Sequence, residues 1–220
     1  MSHIYKGVTS FLGKLRGTPS EEFNVLILGL NNAGKSTLAA RLGLETEDAL
    51  KRISPTVDRT ERHLKFKRIK VCLRDLSGQW RMRQSWHTFY QEANILIFVV
   101  DSTDASRLSE ARCELCDVLL DERMAQVPLL LLANKQDAVG ALPSSMISEL
   151  LGLNRLEDRV WEIHGCSSLA GDGIDSTIGW IYGKLKKLRP PSRFSKLLTP
   201  SLLFGPTCSL DFRRREMNIS

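Results

Sequence analysis

Residues 29–36 read Gly-Leu-Asn-Asn-Ala-Gly-Lys-Ser, a spacing of glycine, lysine and hydroxyl that is suited to holding phosphate groups. The glycines let the backbone turn so that its N–H groups point at phosphate oxygens, Lys35 adds a positive charge, and the Ser36 hydroxyl can ligate Mg²⁺. A chance glycine turn is the alternative, but an apolar strand before the loop and a helix after it favour a phosphate site. The predicted phosphate-binding residues are Gly29, Leu30, Asn31, Asn32, Ala33, Gly34, Lys35, Ser36 and Thr37.

A second group of polar residues lies about 40 residues further on, in the stretch Asp75-Leu76-Ser77-Gly78-Gln79. Asp75 ends a predicted strand and places a carboxylate in the shell around Mg²⁺, while Gly78 stands where a γ-phosphate would be sensed. Gln79 can orient an attacking water molecule. The short pattern also fits a plain turn after a strand. It supports a phosphate site because it follows Lys35 at the sequence spacing expected for a second phosphate-binding element.

A third group predicts which base is bound. Asn134-Lys135-Gln136-Asp137 directly follows an apolar run, so its side chains are displayed at the carboxyl end of a strand. Asp137 can accept two hydrogen bonds, from N1–H and the exocyclic amine of guanine, whereas adenine offers no such pair of donors. Asn134 can tie this loop to the phosphate-binding residues, and Lys135 can lie over the ring.

The loop 166–173 follows the last predicted strand and offers a contact to another edge of guanine. A backbone N–H near Ser168 can reach the guanine O6, and we include Ser167, Ser168 and Leu169 among the predicted binding residues. The alternative is a loop that only caps the helix beginning at residue 174.

The elements that position these groups alternate between strands and helices. Apolar runs predict strands at 23–29, 69–74, 95–101, 127–133 and 159–164, and helical periodicity predicts helices at about 35–43, 80–92, 106–124, 144–151 and 174–188. The continuously apolar runs 95–101 and 127–133 are typical of central strands, whereas 69–74 alternates and predicts a half-exposed strand paired with 61–67 in a hairpin. We therefore predict a doubly wound α/β fold with a mostly parallel six-stranded sheet and one antiparallel edge strand, which binds ligands beyond the carboxyl ends of its strands.

Composition limits the class of protein. The chain has 220 residues, of which 42% are apolar and 25% charged, as expected for a globular domain with an appended tail. No apolar stretch approaches the roughly 20 residues that span a bilayer, and five scattered cysteines are typical of reduced thiols, so we expect a cytoplasmic protein. Net charge is +6 in 51–70, −7 in 71–183 and +7 in 184–220. This pattern argues against nucleic-acid binding and favours anionic lipid, an acidic partner or simply a solvated face.

We predict three parts along the chain. Residues 1–20 form an amphipathic helix and linker, residues 21–189 form the nucleotide-binding domain, and residues 190–220 form a disordered tail after Pro190-Pro191. The N-terminal helix can lie in a membrane interface, occupy a groove of its own domain or cap the core, and its periodicity does not distinguish these alternatives.

From about residue 10 to residue 188 the sequence resembles the small GTPases, and within them the Arf and Arf-like family, most of all its Arf-like two and three branch. The resemblance rests on the groups above together with Pro55-Thr56, Val99-Val100-Asp101-Ser102, Asp172-Gly173 and Arg159-Val160-Trp161-Glu162-Ile163. It implies the P-loop small GTPase fold and a GDP/GTP switch with slow hydrolysis, acting in membrane or protein trafficking. Ser36 and Thr56 would hold Mg²⁺, and Lys35, Thr56 and Gln79 would act in hydrolysis.

The resemblance also implies partners. These are an exchange factor, a GTPase-activating protein and effectors, and an N-terminal helix that leaves its groove when GTP binds. Because position 2 is Ser2 rather than glycine, we expect no N-myristoyl chain. Any contact of the helix with a membrane should then be weak, reversible and peripheral.

Four further residues depart from the family pattern. Asp58 and Ser77 stand where the family has glycine, and Arg59 and Arg74 replace a phenylalanine and a tryptophan on the surface that partners contact. We expect nucleotide binding to survive and this surface to prefer an acidic partner. Two further functions stay open: a GTP-binding scaffold with little or no hydrolysis, and a P-loop kinase or ATPase, which Asp137 disfavours.

Overall fold

The computed structural model describes residues 21–50, 52–66 and 69–188. The strands are β1 (Glu21–Leu28), β2 (Arg59–Phe66), β3 (Ile69–Leu76), β4 (Ala93–Asp101), β5 (Leu129–Asn134) and β6 (Trp161–Gly165). They form one sheet in the order β2-β3-β1-β4-β5-β6, in which β2 is antiparallel to β3 and the other neighbours are parallel. The predicted mostly parallel sheet with one antiparallel edge strand is confirmed.

Helices follow most of the strands, as predicted. They are α1 (Lys35–Leu42), α2 (Glu47–Leu50), α3 (Trp80–Arg83), α4 (Leu108–Leu120), α5 (Ser144–Leu151) and α6 (Ile174–Leu188), with 3₁₀ helices at Trp86–Glu92, Ala105–Arg107, Glu122–Met124 and Leu153–Arg155. None of the helices in the described ranges has the length and apolar character that crossing a bilayer requires. The predicted N-terminal helix and C-terminal tail lie outside the described residues, so the domain limits stay predictions.

The core occupies both faces of the sheet. Helices α1 and α6 pack on one face, and α4 and α5 pack on the other. The apolar runs of β4 and β5 are buried along their whole length, and both strands have neighbours on each side. The prediction that these two strands are central is confirmed, because only a strand covered on both faces can keep a continuous apolar run away from water.

The β2–β3 hairpin is paired as predicted but is more buried than its alternation suggests. Ile69, Val71 and Leu73 point into the core, and Lys70 on the opposite face is exposed. Cys72, predicted on that exposed face, is only 3% exposed. The prediction is wrong at this residue because the longer polar side chains around it cover a small thiol.

The predicted helix 80–92 is divided into α3 and a 3₁₀ helix. Ser85 lies at the break, where its hydroxyl donates to the carbonyl of Met82 at 2.7 Å, and the Thr88 hydroxyl donates to the carbonyl of Ser85 at 2.8 Å. Serine and threonine side chains compete in this way for backbone groups that a continuous helix would use. The buried Trp86 then anchors the second half through a 2.9 Å bond from its indole N–H to the carbonyl of Ser77.

Replacing Phe98 in β4 tests the assignment of the core. Phe98 has no exposed surface, so Phe98→Ala should lower the free energy of unfolding by about 3–5 kcal/mol through lost burial and the cavity left behind. Urea denaturation measures the change. Val139→Ala is the control, since Val139 is fully exposed and its loss should change stability by less than about 0.5 kcal/mol. Equal unfolding midpoints for the two variants would contradict the described core.

Candidate functional site

Residues 29–34 connect β1 to α1, and close packing shapes their backbone. Gly29 has φ of 140° and Gly34 has φ of 94°, a region that other residues rarely adopt. A Cβ atom at Gly29 would collide with the carbonyl oxygen of Val99 in β4, and one at Gly34 would collide with the side-chain amide of Asn134. The glycines of this motif therefore let the loop pack against neighbouring elements as well as turn.

Lys35 begins α1, and its side chain is buried against the loop, with 6% of its surface exposed. Its Nζ donates to the carbonyl oxygen of Leu30 at 2.8 Å. Burial lowers the pKa of Lys35 from 10.5 to about 8; the Asp75 carboxylate opposes this decrease, and Arg83 adds to it. A phosphate oxygen would supply the negative charge that a buried ammonium group lacks here.

Three oxygen-bearing side chains meet beside Lys35. Ser36 Oγ lies 2.7 Å from Thr56 Oγ1, which donates to Asp75 Oδ2 at 3.2 Å. Asp75 is completely buried and its Oδ1 has no hydrogen-bond partner; burial raises its pKa, and the nearby Ser36 hydroxyl and the Lys35 charge oppose this increase. An unpaired carboxylate oxygen next to two hydroxyl groups is a set of hard oxygen donors that fits Mg²⁺.

A cleft of about 620 Å³ opens over these groups, a volume typical of small-ligand sites. Its walls come from the phosphate loop, from the segment before β2 and from the end of β3. The lining residues are Asn31, Asn32, Gly34, Lys35, Ser36, Thr37, Ile53, Ser54, Pro55, Thr56, Ser77, Gly78 and Gln79. Residues from both of the first two predicted groups therefore face one cleft, whereas the predicted residues Gly29, Leu30, Ala33 and Asp75 are not among those that line it.

Gly78 packs directly on the phosphate loop. The Asn31 N–H donates to its carbonyl oxygen at 3.1 Å, and a Cβ at Gly78 would lie 2.5 Å from the Asn31 nitrogen. Arg83 donates from Nε to the same carbonyl at 2.8 Å, and its Nη1 pairs with Glu110 at 2.7 Å and Glu114 at 2.9 Å. The sequence analysis missed Arg83, because the partners that hold it lie in α4, about 30 residues away.

Gln79 lies at the rim of the cleft with its side chain exposed. Its backbone N–H donates to Ser77 Oγ at 3.4 Å, and the Ser77 N–H donates to the carbonyl oxygen of Asp58 at 2.9 Å. Ser77 and Asp58, two of the departures from the family pattern, thus contact each other through the backbone. Ser77 also contacts Gln79 directly, and Asp58 contacts the same segment through Ser77.

Asn134, at the end of β5, is 2% exposed and bonds to two other loops. Its Nδ2 donates to the carbonyl oxygen of Ala33 at 2.8 Å. Its Oδ1 accepts hydrogen bonds from the N–H and the hydroxyl of Ser168, each at 2.9 Å. The structure contains the expected bond between the base loop and the phosphate loop and extends it to the loop after β6.

The other residues of the base group differ in exposure. Lys135 has φ of 66°, and its Nζ lies 2.6 Å from Oδ2 of Asp101, a partner that the sequence analysis missed. Ser167 is completely buried, whereas Asp137 and Leu169 are exposed. The Asp137 carboxylate is therefore accessible to a base, the partly exposed Lys135 is paired with Asp101, and Ser167 is enclosed by the protein.

Apart from Thr56, which precedes the antiparallel strand β2, these groups lie at or just after the carboxyl ends of parallel strands, so the sheet brings them to one edge. The sequence pattern of the ADP-ribosylation factor family matches residues 8–185. The chain belongs to the ADP-ribosylation factor family. Members of this family are GTP-binding small GTPases, and the assignment made from the sequence motifs is confirmed.

Individual relatives agree with the family assignment. The chain is 37% identical to ADP-ribosylation factor-like protein 3 of Chlamydomonas reinhardtii over 177 residues, which cover 80% of this chain and 98% of the relative. It is 38% identical to ADP-ribosylation factor-like protein 1 of Saccharomyces cerevisiae over 179 residues, which cover 81% of this chain and 96% of the relative.

A solved structure supports the fold. The Arl6 BBS3 small GTPase from Trypanosoma brucei with bound nucleotide analogue GppNp matches with a TM-score of 0.70 and 28% identity, over 76% of this chain and 98% of that chain. The small GTPase fold expected for this Arf-family chain is therefore confirmed.

The buried ammonium of Lys35 predicts that nucleotide binding takes up protons. Phosphate charge should raise the pKa of Lys35 above its unliganded value of about 8, so affinity for GDP should fall as pH rises from about 7.5 to about 8.5. Calorimetry in buffers of different ionisation enthalpy measures the uptake. The Lys35→Arg variant stays charged over this range and should show none of it. A wild-type affinity that is constant over this interval would contradict the prediction.

Proposed function

We propose that this Arf-family chain is a GDP/GTP switch in which the Lys35 loop binds the phosphates and Asp137 selects guanine. The observation that carries the proposal is the position of the Thr56 hydroxyl, 2.7 Å from Ser36 and 3.2 Å from Asp75. Thr56 belongs to the segment before β2, whereas its partners lie on α1 and β3. Through this contact, the occupant of the phosphate site would determine where that segment lies.

The proposed reaction is hydrolysis of GTP. Water attacks the γ-phosphorus, the bond to the β–γ bridging oxygen breaks, and GDP and phosphate leave. Lys35 would bind β- and γ-phosphate oxygens with its ammonium group, and Gln79 would orient the water. Ser36 and Thr56 would hold Mg²⁺, with Asp75 behind them, and the ion would supply neutralisation of the phosphate charge.

Intrinsic hydrolysis by this chain is proposed to be slow, about 10⁻⁴ to 10⁻² per second. Among the residues that the structure describes, Arg83 and Arg107 lie near the phosphate loop, but each is bound to groups of the protein. Arg83 bonds to Gly78 and two glutamates, and Arg107 pairs with Asp104 and donates to the carbonyl oxygen of Asn31. An activating protein would supply the arginine that speeds the reaction.

A second candidate function is a GTP-binding scaffold that hydrolyses little or none of its nucleotide. The exposed position of the Gln79 side chain, together with serine at position 77 and aspartate at position 58, favours this alternative. Phosphate and base binding would be the same in both cases. The two functions differ only in whether Gln79 contributes to the rate.

Regulators, effectors and membrane contact belong to this proposal too. An exchange factor, an activating protein and effectors would act on the surface around Arg59, Arg74 and Phe89. The chain would act in trafficking at the cytoplasmic side of a membrane, which the predicted N-terminal helix would contact weakly. The guanidinium groups of Arg59 and Arg74 lie 5.5 and 6.0 Å from the centre of the Phe89 ring. Arg74 also pairs with Glu61 and Glu92, so Arg59 carries most of the expected attraction to an acidic partner.

Single-turnover hydrolysis separates the switch from the scaffold. Gln79→Leu removes the group that orients water, so bound GTP should be converted to GDP about 10-fold or more slowly than in wild type, with GTP affinity unchanged. Gln84→Leu is the control, because Gln84 is another exposed glutamine of the same segment and should not affect the rate. Equal and negligible rates in wild type and Gln79→Leu would establish the scaffold instead.

Competition for labelled GDP tests the choice of base. Excess GTP should displace it and excess ATP should not, because adenine cannot donate the two hydrogen bonds that Asp137 accepts. Asp137→Asn should weaken GDP binding by about tenfold or more, since a charged acceptor becomes a neutral amide. Asp158→Asn, at an exposed position outside the site, should have no effect. Displacement by ATP would favour a kinase or ATPase.

A further inference from the structure

The β2–β3 hairpin brings a thiol, an imidazole and a carboxylate together away from the nucleotide site. Glu61 and His63 are two residues apart on β2 and therefore project from the same face. His63 is paired across the strands with Cys72 of β3. One ligand atom from each of the three side chains lies within 4.8 Å of the others.

The surroundings of this cluster leave it able to bind a ligand. The thiol of Cys72 is buried, whereas the side chains of His63 and Glu61 are 66% and 37% exposed and can change rotamer. Arg74 lies 3.3 Å from Glu61, but it also pairs with Glu92 and so keeps a carboxylate partner if Glu61 turns away.

A fourth donor comes from a third strand. Oε1 of Glu22 in β1 lies 3.8 Å from Nδ1 of His63. The donors are thus one sulfur, one nitrogen and carboxylate oxygens, contributed by β1, β2 and β3. This mixture suits Zn²⁺, which accepts cysteine, histidine and carboxylate ligands in tetrahedral sites, and does not suit Mg²⁺, which prefers oxygen alone.

We propose that Cys72, His63 and Glu61 form a Zn²⁺ site on the outer face of the β2–β3 hairpin. Tetrahedral bonds of about 2.0–2.3 Å place ligand atoms about 3.3–3.8 Å apart. The ligand atoms lie within 4.8 Å of one another, and rotation of the two exposed side chains can bring them to this spacing. Binding releases the thiol proton of Cys72 to solvent. The fourth position takes water or the carboxylate of Glu22.

Such a site would join β2 to β3 next to Arg74. Metal binding free energy adds to the stability of the folded hairpin, because the ligands are not held together in the unfolded chain. The bound ion would also add positive charge to the face that carries the two arginines. This inference does not depend on the proposed hydrolysis, since it uses different residues and a different metal.

Titration with Co²⁺ tests the site in the full chain. The protein is loaded with GDP and kept in excess Mg²⁺, so that the nucleotide site does not compete for the added metal. A single equivalent of Co²⁺ should give thiolate-to-cobalt charge-transfer absorption, and Zn²⁺ should abolish it by displacement. Cys72→Ser should lose the absorption, and His63→Ala and Glu61→Gln should each weaken Co²⁺ binding about tenfold or more.

Matched controls come from the same chain. The double variant Cys113→Ser, Cys116→Ser removes two exposed thiols of α4. His164→Ala removes an imidazole that lies 3.4 Å from Glu162 and is not part of the proposed site. Both variants should bind Co²⁺ like wild type. Absorption that is absent from wild type, or that persists in Cys72→Ser, overturns the proposal. If Cys72→Ser fails to retain GDP, the test relies on the two variants of exposed residues, His63→Ala and Glu61→Gln. Unchanged Co²⁺ affinity in both of these variants overturns the proposed site.

Discussion

The buried side chain of Asn134 is the interaction on which the rest of the site depends. One amide at the end of β5 bonds to the loop after β1 and to the loop after β6. Leaving the Nδ2 or the Oδ1 of a buried amide unpaired would cost about 1–3 kcal/mol. Both loops are therefore held in place by the need of the Asn134 amide for hydrogen-bond partners. A nucleotide would therefore meet phosphate and base loops already fixed relative to each other, which reduces the ordering that binding has to impose.

Much of the fold and site was predictable from the sequence, because the signals involved are local. A continuously apolar run such as 95–101 must be buried on both faces, which places its strand inside the sheet. The spacing of Gly29, Gly34 and Lys35 specifies a loop conformation within one connection. Parallel strands then bring motifs that are distant in sequence to the same edge of the sheet, whatever the individual side-chain contacts are.

The features that were not predictable depend on contacts between distant side chains. Arg83 reaches Gly78 only because two glutamates of α4 balance its charge, and Lys135 is held by a carboxylate at the end of β4. The charge of Arg74 is likewise shared with acids of β2 and of the segment before β4. Sequence periodicity indicates which face a residue occupies, but not which opposite charge the fold places beside it.

The break at Ser85 gives the segment after β3 two parts that are anchored by different side chains. Its second part is anchored by the buried indole of Trp86, and its first, α3, is a single helical turn of four residues that ends at the buried Arg83. So short a turn has few hydrogen bonds of its own to offset the entropy of nucleation, and it therefore depends on the bonds of Arg83 to Gly78 and to two glutamates of α4. Gln79, at the start of that turn, is thus held in position from α4, and loss of the two glutamates would make the turn that carries Gln79 locally unstable.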